Sequence, residues 1–129
     1  MSLWSRPVRQ CEQGDPIALI EDDDDGREAL VVALQLLGQD VEAASSGDAG
    51  IDLVQRIQPD VALVDIGLPD VDGYEVARVL RARLGGHVKL FALTGYGQQA
   101  DRKQSSDAGF DAHLVKPLAP EDLVRLISD

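Results

Sequence analysis

Short apolar runs alternate with helical patterns along most of the chain, and this alternation constrains the fold more than any other feature. The runs begin near residues 17, 41, 61, 88 and 111, so successive starts lie 20 to 27 residues apart. Each interval leaves room for one crossover helix, and alternating strands and helices form a parallel sheet with helices on both faces. The sequence therefore predicts an α/β fold with a doubly wound, five-stranded parallel sheet. The spacing alone does not determine the strand order.

The helical segments show recognisable ends. Residues 24–37 have apolar side chains at helical spacing, and Leu37 is expected on the inner face. Asp72 is expected to cap the helix that follows the third strand. Residues 98–108 are so polar that their predicted helix is marginal, and Pro120 is expected to start the last helix.

Length and charge limit the class of protein. A chain of 129 residues with 44% hydrophobic content fits one domain, which we predict over residues 16–129 after a flexible tail or linker at 1–15. The net charge of −11 argues against direct, electrostatically driven nucleic-acid binding. No apolar stretch is long enough for a membrane span or a signal peptide. The lone Cys11 cannot form an internal disulfide, which favours a reducing cytoplasm.

Polar and charged residues stand at the ends of the predicted strands. Asp65 ends the most continuous apolar run, where α/β proteins bind ligands, and Glu21 and Asp22 end the first run. Thr94 ends the fourth run and Lys116 the fifth. Because all strands of a parallel sheet end at one edge, about 4.8 Å from their neighbours, we expect these groups to share one small ligand.

This set of groups has a definite chemistry. Converging carboxylates repel one another unless a cation offsets them, and hard oxygen ligands suit Mg²⁺. Asp65 could itself coordinate the metal or act as a nucleophile, and Lys116 supplies a movable positive charge for a phosphoryl oxygen. Thr94 could donate a hydrogen bond to another such oxygen. Together these groups indicate carboxylate attack on phosphorus, giving an aspartyl phosphate.

Four segments in order resemble the signatures of one family, the response-regulator receiver domain of two-component signalling. They read IALIEDD, LVDIGLPDVDGYEV, ALTGYG and GFDAHLVKPL, and the resemblance covers about residues 16–129. It implies a flavodoxin-like fold with strand order 2-1-3-4-5 and a phosphorelay function rather than that of an enzyme. The segments ALTGYGQ and FDAHLVKP look most like receivers attached to hybrid sensor histidine kinases.

The resemblance also implies roles for individual residues. Asp65 would accept the phosphoryl group from a histidine kinase or a phosphotransfer protein. Asp22, Asp65 and the backbone carbonyl of Gly67 would bind Mg²⁺, and Glu21 would act on the metal through water. Lys116 would contact the phosphoryl group, and the output partner is not specified.

A conformational switch is implied as well. Thr94 matches the relay residue of the family, whereas His113 stands where the family often has Tyr or Phe, three positions before Lys116. An imidazole can still rotate, so we expect His113 to serve as the second switch residue.

Two other functions share parts of this pattern. A Mg²⁺-dependent phosphohydrolase with an aspartyl nucleophile would usually carry a second Asp two residues later, where this chain has Gly67. A pseudo-receiver that no longer takes phosphate would lack Asp65, the acidic pair or Lys116, and all are present. The receiver reading is therefore favoured over both.

Overall fold

The structure is a computed structural model that describes residues 16–95, 102–116, 118 and 119. The predicted tail at 1–15, the first part of the predicted polar helix and the helix expected from Pro120 lie outside these residues. None of the described helices is long and apolar enough to cross a bilayer.

Five parallel strands form one sheet in the order β2-β1-β3-β4-β5, as the resemblance implied. The strands are rich in small and branched apolar residues, and β3 is buried along its whole length. This is typical of a parallel sheet that is covered on both faces. The strands are β1 (Ile17–Ile20), β2 (Val41–Ala44), β3 (Val61–Asp65), β4 (Lys89–Thr94) and β5 (Ala112–Val115).

The two faces of the sheet bury alternate residues of each strand. Ala62 and Val64 belong to a core cluster packed under the second and third helices, whereas Val61 and Leu63 belong to a cluster that includes Leu34 of the first helix. Side chains two residues apart point to the same face of a strand, which explains the division. The helices are α1 (Asp24–Leu36), α2 (Gly47–Ile57), α3 (Gly73–Leu84) and α4 (Arg102–Ala108).

The helix ends follow the local sequence closely. Asp72 caps α3 as predicted, since its carboxylate accepts a hydrogen bond from the Tyr74 backbone N–H at 2.9 Å. The prediction for Leu37 was wrong, because α1 ends one residue earlier and Leu37 is 40% exposed. Gly38 follows with φ of +87°, a left-handed conformation that suits glycine and ends the helix.

Arg81 ties α3 to the segment between α4 and β5. Its guanidinium donates to the carbonyls of Gly85 at 2.6 Å and Val88 at 2.8 Å. It also donates to the Gly109 carbonyl at 2.6 Å and to the Asp111 carboxylate at 2.9 Å. We call these groups the arginine cluster. Because Arg81 meets three backbone carbonyls and one carboxylate, its charge and its donors are both satisfied.

Candidate functional site

The carboxyl edge of the sheet carries an unusual concentration of buried polar groups. Glu21 follows β1, Asp65 ends β3 and Thr94 ends β4, with exposed fractions of 3%, 7% and 1%. Within the described residues, these three are the polar or charged side chains that are buried. Buried carboxylates are costly unless they are paired, so their position at one edge marks a site.

Lys116 supplies the positive charge at this edge. Its ammonium contacts Glu21 Oε1 and lies 3.5 Å from Asp65 Oδ2. The chain reaches this position because the Lys116 backbone N–H donates to the Thr94 carbonyl at 2.8 Å, which holds the end of β5 beside β4. One lysine therefore bridges carboxylates from two other strand ends.

A third carboxylate completes the set. One carboxylate oxygen from each of Glu21, Asp22 and Asp65 lies within 4.8 Å of the others, which is close enough to hold one metal ion. We call these residues and Lys116 the acidic cluster. Lys116 contacts two of the three carboxylates, so the cluster carries an excess of negative charge. An all-oxygen donor set with this excess suits a hard divalent cation such as Mg²⁺.

Burial and proximity shift the pKa values of Glu21 and Asp65 in opposite directions. Burial, together with the adjoining Asp65, raises the pKa of Glu21 from 4.5 to about 7, although Lys116 opposes the shift. Burial also favours a raised pKa for Asp65, but its hydrogen bonds with Glu21 and Gly67 and the charge of Lys116 outweigh burial and lower it. The Lys116 pKa is raised by its two carboxylate partners in spite of its burial. Of Glu21 and Asp65, Asp65 is therefore the one that stays ionised.

The backbone around Asp65 is closely packed against the start of α3. The Gly67 N–H donates to Asp65 Oδ1 at 2.9 Å, which fixes the direction of the carboxylate. A Cβ on Gly73 would lie 2.5 Å from the Ile66 Cα and 2.6 Å from the Asp65 carbonyl oxygen. Glycine is therefore required where α3 begins beneath Asp65.

The two predicted switch residues lie on one face of the sheet. The Thr94 hydroxyl donates to the Leu114 carbonyl at 3.4 Å, so it is directed toward β5. His113 is half-buried and pairs in register with Ala92, two residues before Thr94. Because strand residues two apart share a face, His113 and Thr94 lie on the same side of neighbouring strands.

Comparisons with known proteins agree with this geometry. Residues 17–128 match the family model described as the response regulator receiver domain. The chain belongs to this family. It is a receiver domain of two-component signalling.

Relatives and solved structures give the same result. The receiver is 36% identical over 111 residues to the response regulator MprA of Mycobacterium leprae, covering 86% of this chain and 48% of that protein. The chain thus spans about half the length of that regulator. A receiver domain protein from Methanospirillum hungatei has a TM-score of 0.80 at 30% identity, covering 88% of this chain and 90% of that one.

Another solved structure that is similar to this chain contains a metal ion. It is the receiver domain of the sensor histidine kinase PA1611 from Pseudomonas aeruginosa, whose structure has a magnesium ion coordinated in the active site cleft. The TM-score is 0.79 at 32% identity, covering 89% of this chain and 95% of that one.

The structure brings together four residues singled out in the sequence, Glu21, Asp22, Asp65 and Lys116, and adds two that sequence reasoning missed. Arg27 donates to the Glu21 carbonyl at 2.9 Å and to Asp24 at 2.5 Å, so it braces the loop that carries the acidic pair. Asp70, three residues beyond Gly67, accepts hydrogen bonds from the start of α2. Neither has a sequence signal, because Arg27 lies in a charged run and Asp70 in an ordinary turn segment.

Proposed function

We propose that this receiver accepts a phosphoryl group on Asp65 from a histidine kinase or a phosphotransfer protein. The observation that carries the proposal is the acidic cluster, in which an ionised Asp65 lies beside one lysine and two further carboxylates. The lowered pKa of Asp65 supports its role as nucleophile, because the attacking oxygen must be unprotonated.

In the proposed reaction, an Asp65 carboxylate oxygen attacks the phosphorus of a phosphorylated histidine. An O–P bond forms, the P–N bond breaks, and the electron pair leaves with the imidazole nitrogen, which takes up a proton. Lys116 would transfer its pairing from Asp65 to a phosphoryl oxygen and so stabilise the charge there. Catalysis consists of positioning and electrostatics. Because the phosphoryl group is transferred to Asp65 itself, the domain serves as a signalling acceptor rather than as an enzyme acting on a separate substrate.

The residues present fit a divalent cation at this site. The carboxylates of Asp22 and Asp65, which lie close together, would hold Mg²⁺. The backbone carbonyl of Gly67 would be a further ligand, and Glu21 would act through water. When bound, the metal supplies neutralisation of charge on the incoming phosphoryl group. The excess of carboxylates over lysine in the acidic cluster supports this assignment, because a cation relieves it.

Phosphorylation would then change a surface for protein partners through Thr94 and His113. Thr94 would exchange its 3.4 Å hydrogen bond to the Leu114 carbonyl for one to a phosphoryl oxygen. Such a weak bond is cheap to replace, and His113 on the same face would respond to the movement. The proposal includes a cytoplasmic location, no direct contact with nucleic acid by residues 16–129, and an origin in a hybrid histidine kinase.

The test uses acetyl phosphate as phosphodonor with Mg²⁺ and records the intact mass. The wild type should gain one phosphoryl adduct, and Asp65→Asn and a metal-free sample should gain none. Asp22→Asn should slow the reaction at limiting Mg²⁺, whereas Asp25→Asn should leave it unchanged because Asp25 is exposed in the same acidic run but outside the cluster.

If no adduct is seen, a measurement of released inorganic phosphate separates a protein that takes phosphate from a pseudo-receiver. If no adduct accumulates but phosphate is released in a Mg²⁺-dependent and Asp65-dependent way, the phosphoaspartate is short-lived or the protein is a phosphohydrolase. If neither an adduct nor released phosphate is found, the proposal is contradicted and the result indicates a pseudo-receiver.

A further inference from the structure

The loop between β3 and α3 is hydrogen-bonded not only to the sheet but also to α2, which lies far from it in sequence. The Asp70 carboxylate accepts hydrogen bonds from the backbone N–H groups of Gly47 at 2.8 Å and Asp48 at 3.1 Å, in the first turn of α2. These bonds lower the pKa of Asp70, so it is ionised at neutral pH. The helix has its own cap as well, since Ser46 Oγ accepts from the Ala49 N–H at 3.2 Å.

Close packing accompanies these hydrogen bonds. Gly47 is buried, and a Cβ placed on it would lie 2.8 Å from the Val71 Cβ and 3.3 Å from Asp70 Oδ1. The loop therefore rests directly on the start of α2, with no room for a side chain between them. If the Asp70 carboxylate only capped α2, its neighbour Val71 would not need to pack so closely against Gly47.

Hydrogen bonds to the sheet and to α2 enclose the part of the loop that contains Gly67, whose N–H donates to Asp65 Oδ1. At its base, the Ile66 N–H donates to the Leu93 carbonyl at 3.1 Å, and the Gly73 N–H reaches the Ile66 carbonyl at 3.4 Å. Asp70 holds the outer part of the loop, three residues after Gly67. The Gly67 carbonyl thus lies on a short segment that is fixed at the sheet on one side and at α2 on the other.

We infer that Asp70 is a positioning residue, which holds the Gly67 carbonyl at the Mg²⁺ site by fastening the β3–α3 loop to α2. The inference rests on the proposed function and extends it to a residue outside the acidic cluster. Groups that orient a metal ligand typically affect metal affinity by about 10- to 100-fold, even though they do not touch the metal.

The test compares Asp70→Ala and Asp70→Asn with wild type by calorimetric Mg²⁺ titration and by the initial rate of adduct formation from acetyl phosphate. Asp70→Ala should raise the Mg²⁺ dissociation constant about tenfold. The rate should fall by a similar factor at limiting Mg²⁺ and recover largely at saturating Mg²⁺. Asp70→Asn keeps one acceptor oxygen, so its effect should be intermediate, and it provides the same readout if the alanine variant does not fold.

Asp48→Ala is the matched control, because it removes an exposed carboxylate from the same helix start and leaves the loop anchor in place. Its Mg²⁺ dissociation constant should stay within about twofold of wild type, well below the effect expected of an orienting group. If both Asp70 variants lower the melting temperature but bind Mg²⁺ as wild type does, Asp70 is only a cap and the inference fails alone. If the wild type binds no Mg²⁺, the proposed function and the inference fail together.

Discussion

The acidic cluster and the arginine cluster are both built from charged groups between secondary-structure elements, but they differ in charge balance. In the arginine cluster, Arg81 meets Asp111 and three backbone carbonyls, so the charges cancel and every contact is satisfied. In the acidic cluster, Lys116 pairs with Glu21 and Asp65, and Asp22 adds a third carboxylate nearby. We expect the first arrangement to stabilise the fold, whereas the second combines excess negative charge with shifted pKa values, a combination that is frequent at functional sites.

The largest expected effect is the loss of the arginine cluster. Arg81→Ala leaves the carbonyls of Gly85, Val88 and Gly109 without their charged donor and should lower the free energy of unfolding by about 3 kcal/mol. Urea denaturation monitored by circular dichroism measures the change. The yield of phosphoryl adduct from folded protein should remain that of wild type.

Arg78→Ala serves as the control for that measurement. Arg78 pairs with Glu75 on the surface of the same helix, and each side chain is 50% exposed. Exposed pairs of this kind contribute about 0.5 kcal/mol or less. Equal losses of stability in the two variants would contradict the structural role of Arg81.

The next effect concerns the pH dependence of stability, which should originate in the acidic cluster. Because the pKa of Glu21 is raised to about 7 by burial and by Asp65, the folded protein keeps a proton that the unfolded chain releases above 4.5. Without Mg²⁺, the free energy of unfolding should therefore fall as pH rises from about 4.5 to about 7, by at most about 3 kcal/mol. Above that interval, this contribution should be constant. Asp65 has the opposite sign, and the stability from its lowered pKa should be lost only below pH 3.8.

Glu21→Gln tests this assignment, because it removes the titrating group and keeps a similar shape. Its urea-unfolding free energy should be nearly flat between pH 5 and pH 7.5 in EDTA, apart from the contributions of other groups. Glu28→Gln, on the exposed surface of α1, should retain the decline of the wild type. Parallel pH profiles for wild type and Glu21→Gln would show that Glu21 is not the group responsible.

The smallest effect is a change in metal affinity when the competing lysine is removed. Lys116→Met keeps the length of the side chain but removes the charge that pairs with Glu21 and Asp65. Mg²⁺ should then bind about fivefold more tightly, which corresponds to about 1 kcal/mol. Adduct formation should nevertheless become slower, because the phosphoryl oxygen loses its partner.

Lys89→Met is the appropriate comparison for this titration, since Lys89 is exposed at the opposite end of β4. Its Mg²⁺ affinity should match that of wild type. Weaker Mg²⁺ binding by Lys116→Met would mean that the lysine organises the cluster rather than competing with the metal.

Local patterns in the sequence predicted the sheet and the acidic edge well. Apolar runs and helix caps depend on neighbouring residues, so the parallel sheet and the role of Asp72 as a cap could both be anticipated. Since parallel strands end at one edge, the proximity of Asp65 and Lys116 followed from the topology. The error at Leu37 is a matter of one residue at a helix end, where periodicity continues but the helix does not.

Contacts between distant segments could not be predicted in this way. Arg81 reaches Asp111 across 30 positions, and Asp70 reaches Gly47 across 23. Nothing near Arg81 distinguishes it from Arg78, three residues earlier on the same helix. The raised pKa of Glu21 likewise depends on burial by the assembled fold, which the sequence of the strand end does not show.

The claim that the acidic cluster is the functional site is tested most directly by how much Mg²⁺ stabilises the folded protein. The free energy of unfolding would be measured with and without Mg²⁺ for wild type, Asp65→Asn and Asp111→Asn. At a tenfold excess over the dissociation constant, the wild type should gain about 1.4 kcal/mol. Asp111→Asn should be less stable but keep this gain, whereas Asp65→Asn should lose most of it. Equal gains in the two variants would contradict the assignment of the metal to the acidic cluster.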